Sequence, residues 1–185
     1  MMKGLIFAIL IVFLLLGSFS FGQDRAIGLR LGASNFGNGA EISYQHGISD
    51  KNRVELDLGL RANNHYNVVG ISVIYHWRWN IDGGLYWFLG PGGQLGFYSQ
   101  LGFYSHRDNH NHGNGVGHGH DHDDEDFREN GVILNVGGQI GIEYDFNEHG
   151  IPLQLSLDAR PMWGLFSTYY GGLGYDGALG IRYTF

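Results

Sequence analysis

The sequence predicts an all-β chain: an eight-stranded antiparallel up-and-down transmembrane β-barrel preceded by a cleaved signal peptide. Three observations lead there. Eight segments alternate apolar and polar residues with a period of two, the mark of a strand with two unlike faces. The last of them, Leu173–Phe185, puts Leu173, Tyr175, Leu179, Ile181, Tyr183 and Phe185 on one face, with Gly177 the only gap. Its other face holds Gly174, Asp176, Ala178, Gly180, Arg182 and Thr184, and the segment ends on an aromatic residue. The beginning of the chain reads as an export signal. Met1-Met2-Lys3 is positive, Leu5–Leu16 is an unbroken apolar run, and Ser20 and Gly22 place small residues before Gln23. A run of twelve apolar residues is too short to cross ~30 Å of hydrocarbon as a helix. It fits the apolar centre of a signal. Residues 1–22 are therefore set aside, and residues 23–185 form one barrel domain.

The elements follow in order. Arg25–Ala33 sets Ile27, Leu29 and Leu31 against Gly28, Arg30 and Gly32. After a turn at Ser34–Asn38, Gly39–Gly47 sets Ala40, Ile42 and Tyr44 against Glu41, Ser43 and Gln45. Ile48–Asn52 is polar and turn-like. Arg53–Ala62 alternates most cleanly, with Val54, Leu56, Leu58 and Leu60 opposite Glu55, Asp57, Gly59 and Arg61. Asn63–Asn67 turns the chain into Val68–Asn80, where Val69, Ile71, Val73, Tyr75, Trp77 and Trp79 share a face. Asp82-Gly83-Gly84 is a hairpin signal. Leu85–Ser99 keeps Leu85, Trp87, Leu89, Leu95 and Phe97 in phase around Gly90-Pro91-Gly92-Gly93. Proline lacks a ladder donor and a barrel has no free edge, so a bulge or kink is expected there.

A long loop is expected over about 100–130. Gly131–Phe146 then sets Val132, Leu134, Val136, Ile140 and Ile142 against Asn135, Gln139, Glu143 and Asp145. Asn147–Gly150 turns into Ile151–Trp163, with Leu153, Leu155 and Leu157 opposite Gln154, Ser156, Asp158 and Arg160. Leu165–Gly172 leads into the last strand. An even strand count brings both termini to one end. About ten residues per strand, at ~3.3 Å each and ~45° tilt, span roughly 23 Å, close to the ~25 Å apolar band of an outer membrane. Trp77, Trp79, Trp87, Tyr144, Phe146, Tyr183 and Phe185 then fall near one rim, and Phe97, Trp163 and Tyr175 near the other. Rims are where amphipathic rings settle.

Composition narrows the function. There is no cysteine, hence no disulfide and no thiolate metal site. A net charge of −7 argues against a nucleic-acid partner. Mean hydropathy is −0.14, which suits a barrel that spends every second residue on lipid. The competing architecture is a soluble sandwich or lipocalin-like barrel with its aliphatics inside. The ends rich in tryptophan, the final Phe185 and aliphatics on one face of nearly every strand favour the membrane. Their combined volume also exceeds what an eight-stranded interior holds.

With that register the lumen receives Arg30, Glu41, Glu55, Asp57, Arg61, His76, Arg78, Glu143, Asp145, Asp158, Arg160, Asp176 and Arg182. Charges in a narrow interior persist when paired and hydrogen-bonded. A structural ion-pair network is expected, with a gated ion path along the same groups as the alternative. Inward glycines (Gly28, Gly59, Gly70, Gly96, Gly141, Gly174, Gly180) are expected to leave small wet gaps.

Residues 106–129 hold six of the ten histidines and seven of the eighteen acidic residues. Such a segment builds no core. His110, His112, His118, His120 and His122, with Asp121 and Asp123, are the candidate ligands for a divalent ion such as Zn²⁺, Ni²⁺ or Cu²⁺. His118, His120 and His122 recur at every second residue, about 7 Å apart in an extended chain. The competing readings are a solvated loop that meets metal incidentally, and a loop whose charge titrates near pH 6.5. No catalytic residues are expected. Ser105-His106 with Asp108 is the only nucleophile–base–acid grouping near that rim, and adjacent residues seldom hold such a geometry.

The signal, the strand count and the final Gly180-Ile181-Arg182-Tyr183-Thr184-Phe185 together resemble the small eight-stranded bacterial outer-membrane proteins of the OmpA/OmpX type. The resemblance covers the whole mature length. It implies residence in the cell outer membrane and contact with its lipid. It also implies a final strand read by the barrel-assembly machinery, and a structural or surface-interaction role without an attached soluble domain. It implies no required cofactor. A narrow channel, or a metal-capture or transport barrel, is the alternative function.

Overall fold

A computed structural model describes residues 25–34, 37–62, 66–102, 127–166 and 172–185. The strands are β1 (Arg25–Ser34), β2 (Gly37–Ser49), β3 (Asn52–Ala62), β4 (Tyr66–Asp82), β5 (Leu85–Gly102), β6 (Phe127–Asp145), β7 (Leu153–Phe166) and β8 (Leu173–Thr184). Each pairs antiparallel with the next, and β1 pairs with β8 to close the barrel. The closing seam is continuous. It runs from Ala26↔Thr184 to Ser34↔Asp176, and at the terminal end Arg25 and Phe185 exchange two backbone hydrogen bonds.

Three tight connections share the end that carries Arg25 and Phe185. β2 and β3 are joined by Asp50–Lys51. β4 and β5 are joined by Gly83–Gly84, where Gly83 adopts φ +50°, a left-handed conformation that favours glycine. β6 and β7 are joined by a short 3-10 turn, Phe146–His149. The Asp145 carboxylate accepts from the Asn147 N–H at this turn, and Gly150 closes it at φ +72°.

Several strands run a few residues beyond or short of their expected ends, and two differences from the sequence expectation bear on the fold. The ribbon of β5 and β6 continues to Leu101↔Arg128 and Gly102↔Phe127, so the expected loop loses both flanks to strand. Backbone pairing does not need the apolar alternation that marks the lipid-facing stretch. The second difference is at Pro91. Ladder pairs between β4 and β5 stop at Ile74↔Gly92 and resume at Trp77↔Leu89 in the same register, with no inserted residue. Proline removes a donor and interrupts the ladder, but it does not produce the expected bulge. Gly90 beside it is required by proximity, since an added Cβ would lie 1.5 Å from the Tyr75 carbonyl oxygen. Register shifts occur elsewhere, at Gly47/Ser49, Asn80/Asp82 and Leu134/Asn135.

The two faces separate as alternation requires. Ile27, Leu29, Ile42, Leu58, Val69, Ile71, Ile140, Leu157, Leu179 and Ile181 all point outward and are exposed. Arg30, Glu55 and His76 are 0% exposed. The protein is therefore apolar outside and ionic inside, the inverse of a soluble barrel. A continuous aliphatic belt of this size is stable only against hydrocarbon, so the barrel spans a membrane. Trp79 and Trp87 stack at 4.3 Å near the terminal end, while Phe97, Trp163 and Tyr175 stand exposed toward the other. The lumen is not wholly polar. Val68, Tyr98 and Ile133 form a small buried cluster toward the loop end, and Ile74 and Phe88 are buried lower down.

Candidate functional site: the charged lumen

Alternation turns Arg30 inward from β1, Glu41 and Ser43 from β2, Arg53, Glu55, Asp57 and Arg61 from β3, and Asp158 and Arg160 from β7. In an eight-stranded barrel these side chains reach one another across the interior. Arg30 lies at the centre of the group nearer the loop end. It donates to both carboxylate oxygens of Asp158 (2.6–3.2 Å), to Glu41 at 2.9 Å and to Asp176 at 3.0 Å. Arg61 donates through one nitrogen to Glu41 at 2.6 Å and Asp176 at 2.5 Å. Arg160 reaches from β7 across to β2 and β3. It donates to Glu41 at 3.0 Å, to Glu55 at 2.6 Å and to Asp57. Arg182 donates to Glu55 at 3.1 Å, Ser156 at 2.7 Å and Ser43 at 3.0 Å.

A second group lies toward the terminal end. Arg53 makes a two-pronged contact with Glu143, at 2.9 and 2.5 Å, across the lumen from β3 to β6. Arg78 donates to the same carboxylate at 2.5 Å and to Asp145 at 3.5 Å, with its guanidinium 3.7 Å from the Tyr86 ring centroid. His76 links the groups. Arg53 Nε lies 3.2 Å from its Nδ1, and Gln139 Oε1 lies 3.1 Å from its Nε2. A guanidinium can only donate, so Nδ1 accepts and the proton sits on Nε2, facing Gln139. Gln139 in turn donates to Glu55 at 3.4 Å, and the His76 ring rests 4.7 Å from Phe88.

All thirteen expected lumen residues thus face inward; twelve make ion pairs, and His76 is held by Arg53 and Gln139. Arg53 was not among them. It shares the parity of Glu55 and Asp57, a signal that was present but sat at the first position of the strand, beside a turn. The inward glycines were expected to leave small wet gaps, but at three of them a neighbouring side chain fills the space. A Cβ at Gly59 would lie 2.6 Å from Glu41 Cγ, one at Gly180 would lie 2.4 Å from Ser156 Oγ, and one at Gly141 would lie 2.5 Å from the Phe88 ring. Those glycines make room for neighbouring side chains.

Among the described residues no group of three or more His, Cys, Asp or Glu is placed to hold a metal ion. The candidate ligands His110, His112, His118, His120, His122, Asp121 and Asp123 lie outside the described residues, as do residues 1–22 and Ser105, His106 and Asp108.

No family model matches the chain, and no curated protein matches it either. Solved structures do. Neisserial surface protein A is 12% identical with a TM-score of 0.61, covering 89% of this chain and 98% of that one. The chain has the fold of the small eight-stranded outer-membrane barrels. The N-terminal β-barrel domain of Pseudomonas aeruginosa OprF is 19% identical with a TM-score of 0.51, covering 88% and 96%. Ail, the attachment invasion locus protein of Yersinia pestis, solved with the heparin analogue sucrose octasulfate, is 10% identical with a TM-score of 0.54, covering 88% and 97%. The likeness is one of fold.

Proposed function

We propose that the chain is an outer-membrane barrel with a structural or surface-interaction role, exported by residues 1–22 and held rigid by its lumen network. The observation that carries this reading is the set of arginines that cross the interior: Arg30 to Asp158, Arg160 to Asp57 and Glu55, and Arg53 to Glu143. Ion pairs that span the interior fix side chains in place, and an eight-stranded interior filled this way leaves no room for a wide water path. The outer face meets lipid, the final strand meets the assembly machinery, and the barrel itself catalyses no reaction. Purified protein in planar bilayers is expected to be electrically silent. Discrete, salt-dependent current steps would instead establish the channel reading.

The histidine-rich segment supports a second role, capture of a divalent cation at the loop end. Five imidazoles (His110, His112, His118, His120, His122) and the carboxylates of Asp121 and Asp123 supply the nitrogen and oxygen ligands that suit Zn²⁺, Ni²⁺ or Cu²⁺. Calorimetry on the full chain is expected to show Zn²⁺ uptake that disappears when residues 106–129 are deleted. Equal uptake by both proteins would remove this role and leave the barrel's structural role intact.

A further inference from the structure

The barrel wall is not equally knit all round. β6 pairs with β5 without a break from Leu85↔Tyr144 to Gly102↔Phe127. Its other edge, against β7, is interrupted. That ladder skips from Ile140↔Ala159 to Gly137↔Met162, and within the gap lies Pro161, which has no N–H to donate. On the loop side of the gap, four pairs join the two strands among the described residues: Gly137↔Met162, Val136↔Trp163, Asn135↔Gly164 and Leu134↔Phe166. A register shift separates the last two. Beyond Leu134, β6 continues to Phe127 with ladder partners on its β5 side alone, among the described residues.

The ribbon that carries this weak edge is also built to bend. Pro91 stands opposite Gly138, and Gly92 opposite Gly137, in the β5–β6 ladder. At the same level the β4–β5 ladder skips from Ile74↔Gly92 to Trp77↔Leu89. The ribbon thus loses ladder pairs to both neighbours at one cross-section, where glycines give the backbone its widest freedom.

Behind the seam lies a cavity of about 120 Å³, lined from both edges: Ile133 and Asn135 of β6, Met162 and Gly164 of β7. By the usual ~10–15 Å³ per water, it holds roughly eight to twelve water-sized groups, room for part of one acyl chain. Arg61, Arg160 and Asp176 also reach it, but all three are engaged in the ion-pair network. What the cavity offers a guest is therefore its apolar wall. The seam is thin on its inner side. Gly137 has no side chain, and a Cβ there would lie 3.0 Å from the Met162 sulfur, so a flexible thioether covers the glycine. On the outer side, Val136 and Trp163 belong to the exposed apolar belt.

We propose that the β6–β7 seam on the loop side of Pro161 opens laterally and admits one acyl chain of the surrounding lipid to the cavity, against Ile133 and Met162. The occupant follows from position. Hydrocarbon already covers the outer side of the seam, so a chain enters without crossing water. Baring backbone groups to lipid is costly, which confines the opening to the stretch where few pairs remain. The site goes beyond the structural role proposed above and rests on the membrane placement of the outer face. It is compatible with an electrically silent barrel, because its path leads into the bilayer and not through the lumen.

For the test, the full mature barrel is placed in vesicles with a phosphatidylcholine that carries a diazirine midway along one acyl chain. After irradiation, labelled residues are read by mass spectrometry. Native protein is expected to carry label at Met162 or Ile133 as well as at outward residues such as Trp163. The chain has no cysteine, so Val136→Cys with Trp163→Cys sets a single disulfide across the seam. Its oxidation is expected to lower labelling of Met162 and Ile133 at least fivefold relative to the reduced form, while outward Leu157 is labelled as before. A lock elsewhere in the wall, Ile42→Cys with Leu58→Cys between β2 and β3, is expected to change neither. Label confined to outward residues in the native barrel would overturn the proposal. So would inward label that survives the β6–β7 lock, which means entry past the loops, or an equal loss with the β2–β3 lock. Should the β6–β7 pair fail to fold or to oxidise, Pro161→Val decides in its place: it restores a ladder donor and is expected to lower inward labelling at least twofold, and unchanged labelling overturns the proposal.

Discussion

Arg30→Met is expected to lower the unfolding free energy of the barrel by about 3–5 kcal/mol, the usual loss when one member of a buried ion-pair network is removed. The size follows from what is left behind. Glu41 keeps Arg61 and Arg160, and Asp176 keeps Arg61. Asp158 pairs with no other cation among the described residues, and its side chain is 0% exposed. The substitution therefore strands a charged carboxylate where water cannot reach it. Combining Arg30→Met with Asp158→Asn is expected to recover the larger share, because the pair is removed together. The coupling should be at least about 1 kcal/mol, as for contacting residues. Urea unfolding in lipid vesicles, followed by tryptophan fluorescence, measures both. A single-mutant loss under about 1 kcal/mol, the range of exposed ion pairs, would mean that the network is hydrated and loosely held.

The partnership of Arg30 with Asp158 also marks where sequence reading stops. Period two assigned the charged lumen residues other than Arg53 to the inner face, because neighbouring side chains on a strand point to opposite sides. It could not say who meets whom. That depends on strand stagger, which brings Arg30 of β1 to Asp158 of β7, past the intervening β8, and Arg160 of β7 to Asp57 of β3. Stagger is set by closure of the whole sheet and leaves no local mark. Alternation also predicts a face rather than its chemistry. Val68, Tyr98 and Ile133 lie inward by parity yet are apolar, and they close part of the lumen that charge alone would leave to water. Gly59 and Gly180 looked like missing volume, but their space is occupied by Glu41 and by Arg182 with Ser156. A bulge or kink was expected at Pro91, and the strand keeps its register across it without an inserted residue.

The outward face can be tested by its response to charge. Leu58 sits midway along β3, 52% exposed, between Ile42 of β2 and Ile71 of β4 in the ladder. Leu58→Arg is expected to cost about 2–4 kcal/mol, the usual loss for a cation at the middle of a lipid belt, whereas the same change near an interface costs ~0–1 kcal/mol. Leu173, at the loop end of β8 and 66% exposed, supplies the second case. Both positions are open by area, so area alone predicts equal tolerance. Were the outer face wet, both arginines would fall within about 0.5 kcal/mol of the parent. A hydrocarbon belt predicts a gradient with depth: a large loss at Leu58, little at Leu173→Arg, and almost none for Leu58→Phe. Unfolding free energies in vesicles, with gel mobility of boiled and unboiled samples to confirm the folded barrel, give that gradient directly. Equal, small losses at both sites would place the aliphatic belt in water and remove the membrane from the account.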